Sequence, residues 1–387
     1  MIAPNNIAPV VCHVCSQYLS RSETFIYSLI ASLRSVTPTV LSYQQPINLD
    51  LFPFDETRIH HLGKSLNRWH NLPRRAASKL TGGDWTRPAY ERQYKAVGAR
   101  WKPSMLHAHF GPVGYAALSM QRLWGVPLVT TFYGFDTKSV LLDGAWPEKR
   151  AELFDKADLI LVEGAFMRSQ LIRLGCAPHK IALQKIGITL PSPTRKPDRG
   201  CPIVLFAGRF VEKKGLIYGL EAVDKLIRRR LEFRCRIVGD GPLDGELRRF
   251  VANRGIADRV EFLGFLTHRQ YLAELRSADM LVQPSVTAAD GDNEGGAPTT
   301  ILEAQGFGVP VVSTRHADIP NVVSEGRSAL LAPERSSEEL AEAIALLLKD
   351  RDRRVEMGRA GRAFVEENHN CDVQARRMEE KYAGLLR

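Results

Sequence analysis

Four side chains in the second half of this 387-residue chain are spaced to handle a phosphorylated ligand: Arg209, Lys214, Glu294 and Glu303. Arg209 closes the apolar run Ile203-Val204-Leu205-Phe206-Ala207-Gly208-Arg209, and Lys214-Gly215 follows shortly after. A guanidinium can chelate phosphate oxygens in a fork and an ammonium adds a second positive charge, so the pair can stabilise a diphosphate leaving group. The two glutamates bracket the stretch E-G-G-A-P-T-T-I-L-E. Gly295 and Gly296 tolerate positive φ and let a ligand approach the main chain closely. Pro298 suits the first turn of a helix, where its missing N–H is no loss. From Thr299 to Gln305 the chain can run as a short helix whose N-terminal amides face the glycine loop and attract anions. The stretch therefore describes a phosphate cradle flanked by carboxylates. The plainer alternatives are a basic surface turn at Arg209 and Lys214, and solvated turn and helix carboxylates at Glu294 and Glu303.

The first half offers a second set. Met105-Leu106-His107-Ala108-His109-Phe110-Gly111 predicts a strand ending at His109, and Leu128-Val129-Thr130-Thr131-Phe132 predicts another that delivers Tyr133-Gly134-Phe135-Asp136. Open α/β sheets bind ligands outside the carboxyl ends of their strands, where His109 and Asp136 both fall. On its own His109 reads more readily as a core or supporting histidine. Ser22-Glu23-Thr24 marks a helix start with Ser22 as N-cap, after a first strand at Val10–Val14. Cys12-x-x-Cys15 has no second pair beside it and reads as packing of that strand rather than a redox or zinc site. Asp290-x-Asp292 lies on a loop and no metal site is required.

Gly-Arg followed by Lys-Gly, ahead of a Glu-Gly-Gly…Glu cradle and a Gly-Val-Pro-Val-Val strand, resembles the donor-binding signature of the retaining family 4 glycosyltransferases. These are the glycosyl transferases group 1 of the two-domain GT-B fold, and the chain is similar to the bacterial exopolysaccharide and colanic-acid types. Eight residues separate Glu294 from Glu303, one more than the family spacing, so either Glu294 or Gly295 holds the first signature position. The resemblance implies that Arg209 and Lys214 hold the diphosphate of a nucleotide sugar, and that Glu303 takes the ribose hydroxyls and Glu294 the sugar hydroxyls. Gly295, Gly296, Ala297, Pro298 and Thr299 would bind sugar or phosphate oxygens, and Phe265 and Leu266 would line the base pocket. His109 would meet the reacting face of the sugar, and Ser22, Glu23, Thr24 and Asp136 would lie on the acceptor side. Tyr133 stands where the family turn usually begins with histidine, so its role does not carry over. Cofactors are none beyond the donor substrate, and the reaction is expected to be independent of metal.

Alternating strands and helices in both halves place the chain in the α/β class, with mainly parallel sheets. The expected organisation is GT-B: a Rossmann-like acceptor-side domain over 1–190 and a proline-rich linker over 191–200. A nucleotide-sugar domain follows over 201–370, and a helix over 371–387 returns to the first domain. Gly239-Asp240-Gly241 has the wrong spacing for a dinucleotide fingerprint and reads as a strand–turn–helix. The segment 44–95, polar and basic, predicts irregular helices, and Lys180–Ile188 predicts the last strand of the first domain.

A hydrophobic fraction of 44% with 8% aromatics fits a globular chain with cores of its own, and no apolar run is long enough to span a bilayer. The N-terminus lacks the basic-then-apolar pattern of a signal peptide, and six scattered cysteines suit a reducing cytoplasm. The net charge of +10 is lopsided: residues 1–190 carry 22 Lys and Arg against 13 Asp and Glu, residues 191–387 carry 31 against 30. Arg68, Arg74, Arg75 and Lys79, interleaved with Leu66, Trp69, Leu72 and Leu80, suit the anionic inner face of a plasma membrane. A solvated helix face is the plainer alternative, and no nucleic-acid motif accompanies the cluster. The expected function is transfer of a sugar to a glycan or polyprenyl-diphosphate-linked acceptor in surface polysaccharide synthesis. The alternatives are a nucleotide-sugar epimerase of the same fold, a retaining phosphorylase, and a basic nucleic-acid-binding protein without activity. Arg209→Ala and Lys214→Ala are both expected to abolish transfer and leave folding intact.

Overall fold

The computed structural model describes residues 8–19, 23–62, 87–134, 144–192 and 200–386. The basic cluster around Arg68–Lys79, Ser22, Asp136 and most of the proline-rich stretch lie outside them. Contacts divide the chain into two compact units: residues 1–163, 168–187 and 371–387 in one, and 164–167 and 188–370 in the other.

The first unit holds β1 (Val10–Cys15), β2 (Thr37–Ser42), β3 (Ile59–His61), β4 (Met105–His109), β5 (Leu128–Phe132), β6 (Leu159–Val162) and β7 (Ile181–Leu183). They pair in the order β3-β2-β1-β4-β5-β6-β7, and every pairing is parallel. A parallel sheet is covered on both faces, so its strands read as continuous buried runs such as Met-Leu-His-Ala-His rather than alternating ones. The crossovers include α1 (Thr24–Ser32), α2 (Arg87–Trp101), α3 (Gly111–Trp124), α4 (Trp146–Lys156) and α5 (Ala165–Arg173), of which residues 165–167 fall in the second unit. Three sequence expectations change here. β3 pairs inside a segment expected to hold only irregular helices, because Ile59–His61 finds an edge beside β2. The strand expected over 180–188 stops at Leu183, where pairing with β6 ends. The helix expected to be capped by Ser22 starts at Thr24, so the cap position falls to Glu23, whose side chain makes no capping bond.

The second unit holds β8 (Ile203–Ala207), β9 (Arg234–Val238), β10 (Val260–Gly264), β11 (Met280–Gln283), β12 (Val311–Thr314) and β13 (Ala329–Ala332). Their order is β10-β9-β8-β11-β12-β13, again wholly parallel. Between them run α6 (Leu216–Arg228), α7 (Asp244–Arg254), α8 (His268–Ser277) and α9 (Thr299–Gly306), followed by α10 (Ser337–Lys349) and α11 (Arg351–Asn368). One core layer packs Phe206, Leu220, Val223, Ile237 and Ile344, and the other packs Leu205, Leu281, Ile301, Val311 and Leu275. The strand order reverses between β8 and β11, which is where such sheets place a ligand.

The last helix, α12 (Cys371–Leu385), belongs to the first unit. It buries Ala375, Met378 and Tyr382 against Val11, Met105, Val129 and Leu161, and Glu379 accepts the main-chain amides of Arg34 and Ser35 just past α1.

Candidate active site

The second unit builds its site from the residues that follow β8 and β11. Gly239 approaches the end of β8 so closely that an added Cβ would lie 1.9 Å from the Gly208 carbonyl oxygen. Gly215 (φ 60°) is held more tightly still, its hypothetical Cβ 1.8 Å from the carbonyl oxygen of Pro284. These contacts admit only glycine, and they press the lysine turn against the end of β11. Arg209 stands exposed at the tip of β8, and its guanidinium has no hydrogen-bond or ion-pair partner among the described residues.

Both neighbouring lysines are engaged. Lys213 Nζ, buried, donates to the Asn293 carbonyl at 3.0 Å and lies 3.3 Å from Asp292 Oδ1. Lys214 Nζ donates to Glu294 Oε2 at 2.9 Å, and Ser285 Oγ donates to Glu294 Oε1 at 2.6 Å. Burial pushes the Glu294 carboxyl up, but the Lys214 charge and the hydrogen bonds from Ser285 and Lys214 outweigh it, with Lys213 adding to them. The net result lies below the ordinary carboxylate value. Lys214 is therefore no free wall of a cleft: its side chain is 15% exposed and Glu294 only 6%. Lys213 and Ser285 were not singled out in the sequence; the doubled lysine was the available signal.

The glycine turn also differs from expectation. Gly295 takes positive φ, 74°, but Gly296 does not. Gly295 N–H donates to Asn293 Oδ1 at 2.8 Å and Gly296 N–H to the Glu294 carbonyl at 2.9 Å, so both amides serve the loop itself. Pro298 occupies the cap position rather than the first turn of α9. The amides of Ala297 and Thr299 have no partner among the described residues, and they sit at the positive end of α9.

Glu303, on α9, is held by two neighbours. His268 Nε2 lies 3.1 Å from Oε1 and Tyr271 donates its hydroxyl to Oε2 at 2.9 Å. Burial, then the Glu303 charge, pushes the Tyr271 hydroxyl well up, so it stays a donor. Both residues lie on α8, whose start is fixed by a capping box between Thr267 and Gln270. Leu266 is partly buried and packs against the core, whereas Phe265 is 51% exposed. His268 was missed because a histidine four residues past a strand carries no spacing signal.

In the first unit, His13 on β1 and His107 and His109 on β4 share one sheet face and are fully buried. One ring nitrogen from each of the three lies within 4.8 Å of the other two. His107 spends Nδ1 on the Tyr382 hydroxyl (2.6 Å) and Nε2 on Thr131 Oγ1 (2.7 Å). His109 spends Nε2 on His13 Nδ1 (3.1 Å) and Nδ1 on the Tyr133 hydroxyl (2.8 Å). A cation there would have to displace these bonds. Burial pulls His109 down to about 3, and drives His13 and His107 well down with help from neighbouring imidazoles, so all three are neutral at pH 7. Tyr133, unassigned from sequence, is the hydroxyl that closes this chain. Tyr133→Phe should strand the buried Nδ1 of His109 and lower stability by about 1–3 kcal/mol in denaturant melts. Glu23 and Thr24 lie at the start of α1.

Two units, each built on one wholly parallel α/β sheet, place the chain in the GT-B fold class. The comparisons agree. Residues 193–364 match the glycosyl transferases group 1 family and residues 55–184 a glycosyl transferase 4-like domain. The chain is 34% identical over 284 residues to WcaL of Escherichia coli (strain K12), named for colanic acid biosynthesis, covering 72% of this chain and 70% of that one. It is 31% identical over 296 residues to the amylovoran biosynthesis glycosyltransferase AmsK of Erwinia amylovora, covering 73% and 72%. Anabaena HepE, solved with UDP, has the same fold, with TM-score 0.75 over 97% of this chain and 100% of that chain at 15% identity. The chain belongs to the glycosyl transferases group 1 family.

Proposed function

We propose that this glycosyltransferase moves a sugar from a nucleoside diphosphate sugar to a glycan or polyprenyl-diphosphate-linked acceptor during surface polysaccharide synthesis, with retention at the anomeric carbon. The carrying observation is the unpartnered Arg209 guanidinium beside a turn whose Lys214 is already oriented by Glu294. In this reading Arg209 grips the diphosphate and Lys214 shares its ammonium, which has three donors, between Glu294 and a phosphate oxygen. The free amides of Ala297 and Thr299 add the helix-end field, and Glu303, oriented by His268 and Tyr271, accepts the ribose hydroxyls. Such preset charges stabilise a leaving diphosphate without reorganising in the transition state. The resemblance assigns His109 to the reacting face of the sugar, and Asp136 and the start of α1 to the acceptor.

The polysaccharide setting rests on the names of WcaL and AmsK, and the membrane-surface role on the basic first half of the chain. No helix among the described residues is long and apolar enough to cross a membrane. We place the protein in the cytoplasm, at the inner membrane face. Positive side chains substitute for a metal at the diphosphate, so transfer should be unchanged by excess chelator; loss of turnover on chelation would contradict this. A thermal-shift panel of UDP-, GDP- and ADP-sugars tests the donor class. The cognate donor at 100 times its dissociation constant should add about 2.7 kcal/mol of stability, and no shift with any of the three would refute the reading.

A further inference from the structure

We propose that His316 is a positioning residue for sugar transfer, holding the main chain of Glu294 in place through a tautomer that Glu334 selects. The inference rests on the donor-site reading given above. His316 lies on the turn just after β12 and is 1% exposed. The Glu294 amide lies 3.0 Å from His316 Nε2. An amide N–H can only donate, so Nε2 carries the lone pair and the ring proton sits on Nδ1. Nδ1 in turn lies 2.7 Å from Glu334 Oε1 and donates to it. The other oxygen, Glu334 Oε2, accepts the amide of Thr287 at 2.8 Å, and Arg335 lies 3.5 Å from the same oxygen.

One carboxylate thus ties two points of the same loop, Thr287 directly and Glu294 through the imidazole. A third tie, from the Thr314 hydroxyl to the Ser285 carbonyl, anchors the start of the loop to β12. The main chain of Glu294 is held from behind by His316, while its carboxylate faces Ser285 and Lys214 on the other side. Losing the His316 acceptor orphans a loop amide and frees the residue that orients Lys214. The effect on transfer then runs through the placement of Glu294, not through contact with substrate.

The two amide side chains separate the two ring nitrogens. His316→Gln keeps an acceptor oxygen near the place of Nε2. His316→Asn keeps a donor near Nδ1 and loses that acceptor. In the full-length protein, His316→Gln should keep slow hydrogen exchange at the Glu294 amide and hold kcat within about tenfold of wild type. His316→Asn should expose that amide to exchange and cut kcat on the order of 100-fold. Equal behaviour of the two variants in exchange and kinetics would overturn the positioning role. Histidine-selective nitrogen NMR on the unmodified protein needs no variant: a proton on Nδ1 of His316 is expected, and a proton on Nε2 overturns the assignment. Should the unmodified protein turn over none of the UDP-, GDP- or ADP-sugars, the donor reading fails, while the exchange contrast and the NMR signal still decide whether His316 holds Glu294.

Discussion

Arg209→Ala lowers kcat/KM for the nucleotide sugar on the order of 10²–10³-fold, the usual loss when one preset donor to a developing negative charge is removed. Stability stays within about 0.5 kcal/mol of wild type, because an exposed side chain without partners is removed. Both parts follow from one observation. A guanidinium at the tip of β8 that no carboxylate among the described residues neutralises has its full hydrogen-bonding capacity for an incoming diphosphate. Arg209→Lys should recover only part of the activity, since an ammonium cannot form the paired fork. Steady-state kinetics with matched thermal melts read out both. Full activity in Arg209→Ala would remove the residue from the site.

Lys214→Ala behaves differently, against the expectation that both basic residues could be lost without harm to folding. Removing Lys214 strands the nearly buried Glu294 carboxylate and should cost about 3–5 kcal/mol at pH 7, as breaking a buried pair from one side does. Adding Glu294→Gln to that variant should return much of the lost stability, because a neutral amide carries no stranded charge. The pH dependence has a defined sign. The Glu294 carboxyl is depressed in the fold, so its contribution is fully present above its ordinary value of 4.5 and is lost as pH falls through the depressed folded value. The gap between wild type and Lys214→Ala should therefore narrow as pH drops through that range. Urea titrations at pH 7 and pH 4 measure it, and a constant gap would show that the pair carries no such linkage.

The parallel α/β architecture was legible because its strands are uninterrupted apolar runs closed by Gly or His, as at Ile203–Gly208 and Met105–His109. The short β3 was not, since Ile-His-His has no apolar periodicity and pairs only because β2 leaves an open edge. At the site, Arg209, Lys214, Glu294 and Glu303 stood out by spacing. The groups that orient them did not. Lys213, Ser285, His268, Tyr271, His316 and Glu334 reach the site through tertiary contacts between elements up to 80 residues apart, which no local pattern encodes. Proximity to charge also reassigned Lys214: its sequence context describes a free cation, its surroundings an ion pair. The turn at Gly295–Gly296 was readable as a turn, but which amides it would leave open depended on Asn293 and Glu294 folding back on it.

Calorimetric titration of UDP, GDP and ADP, each against its monophosphate, into wild type and Arg209→Ala tests the diphosphate grip most directly. The account predicts that the preferred diphosphate binds wild type more tightly than its monophosphate does, and that the variant loses most of that difference while its monophosphate affinity barely changes. Equal affinity for the two nucleotides in wild type, or an undiminished preference in Arg209→Ala, would contradict it.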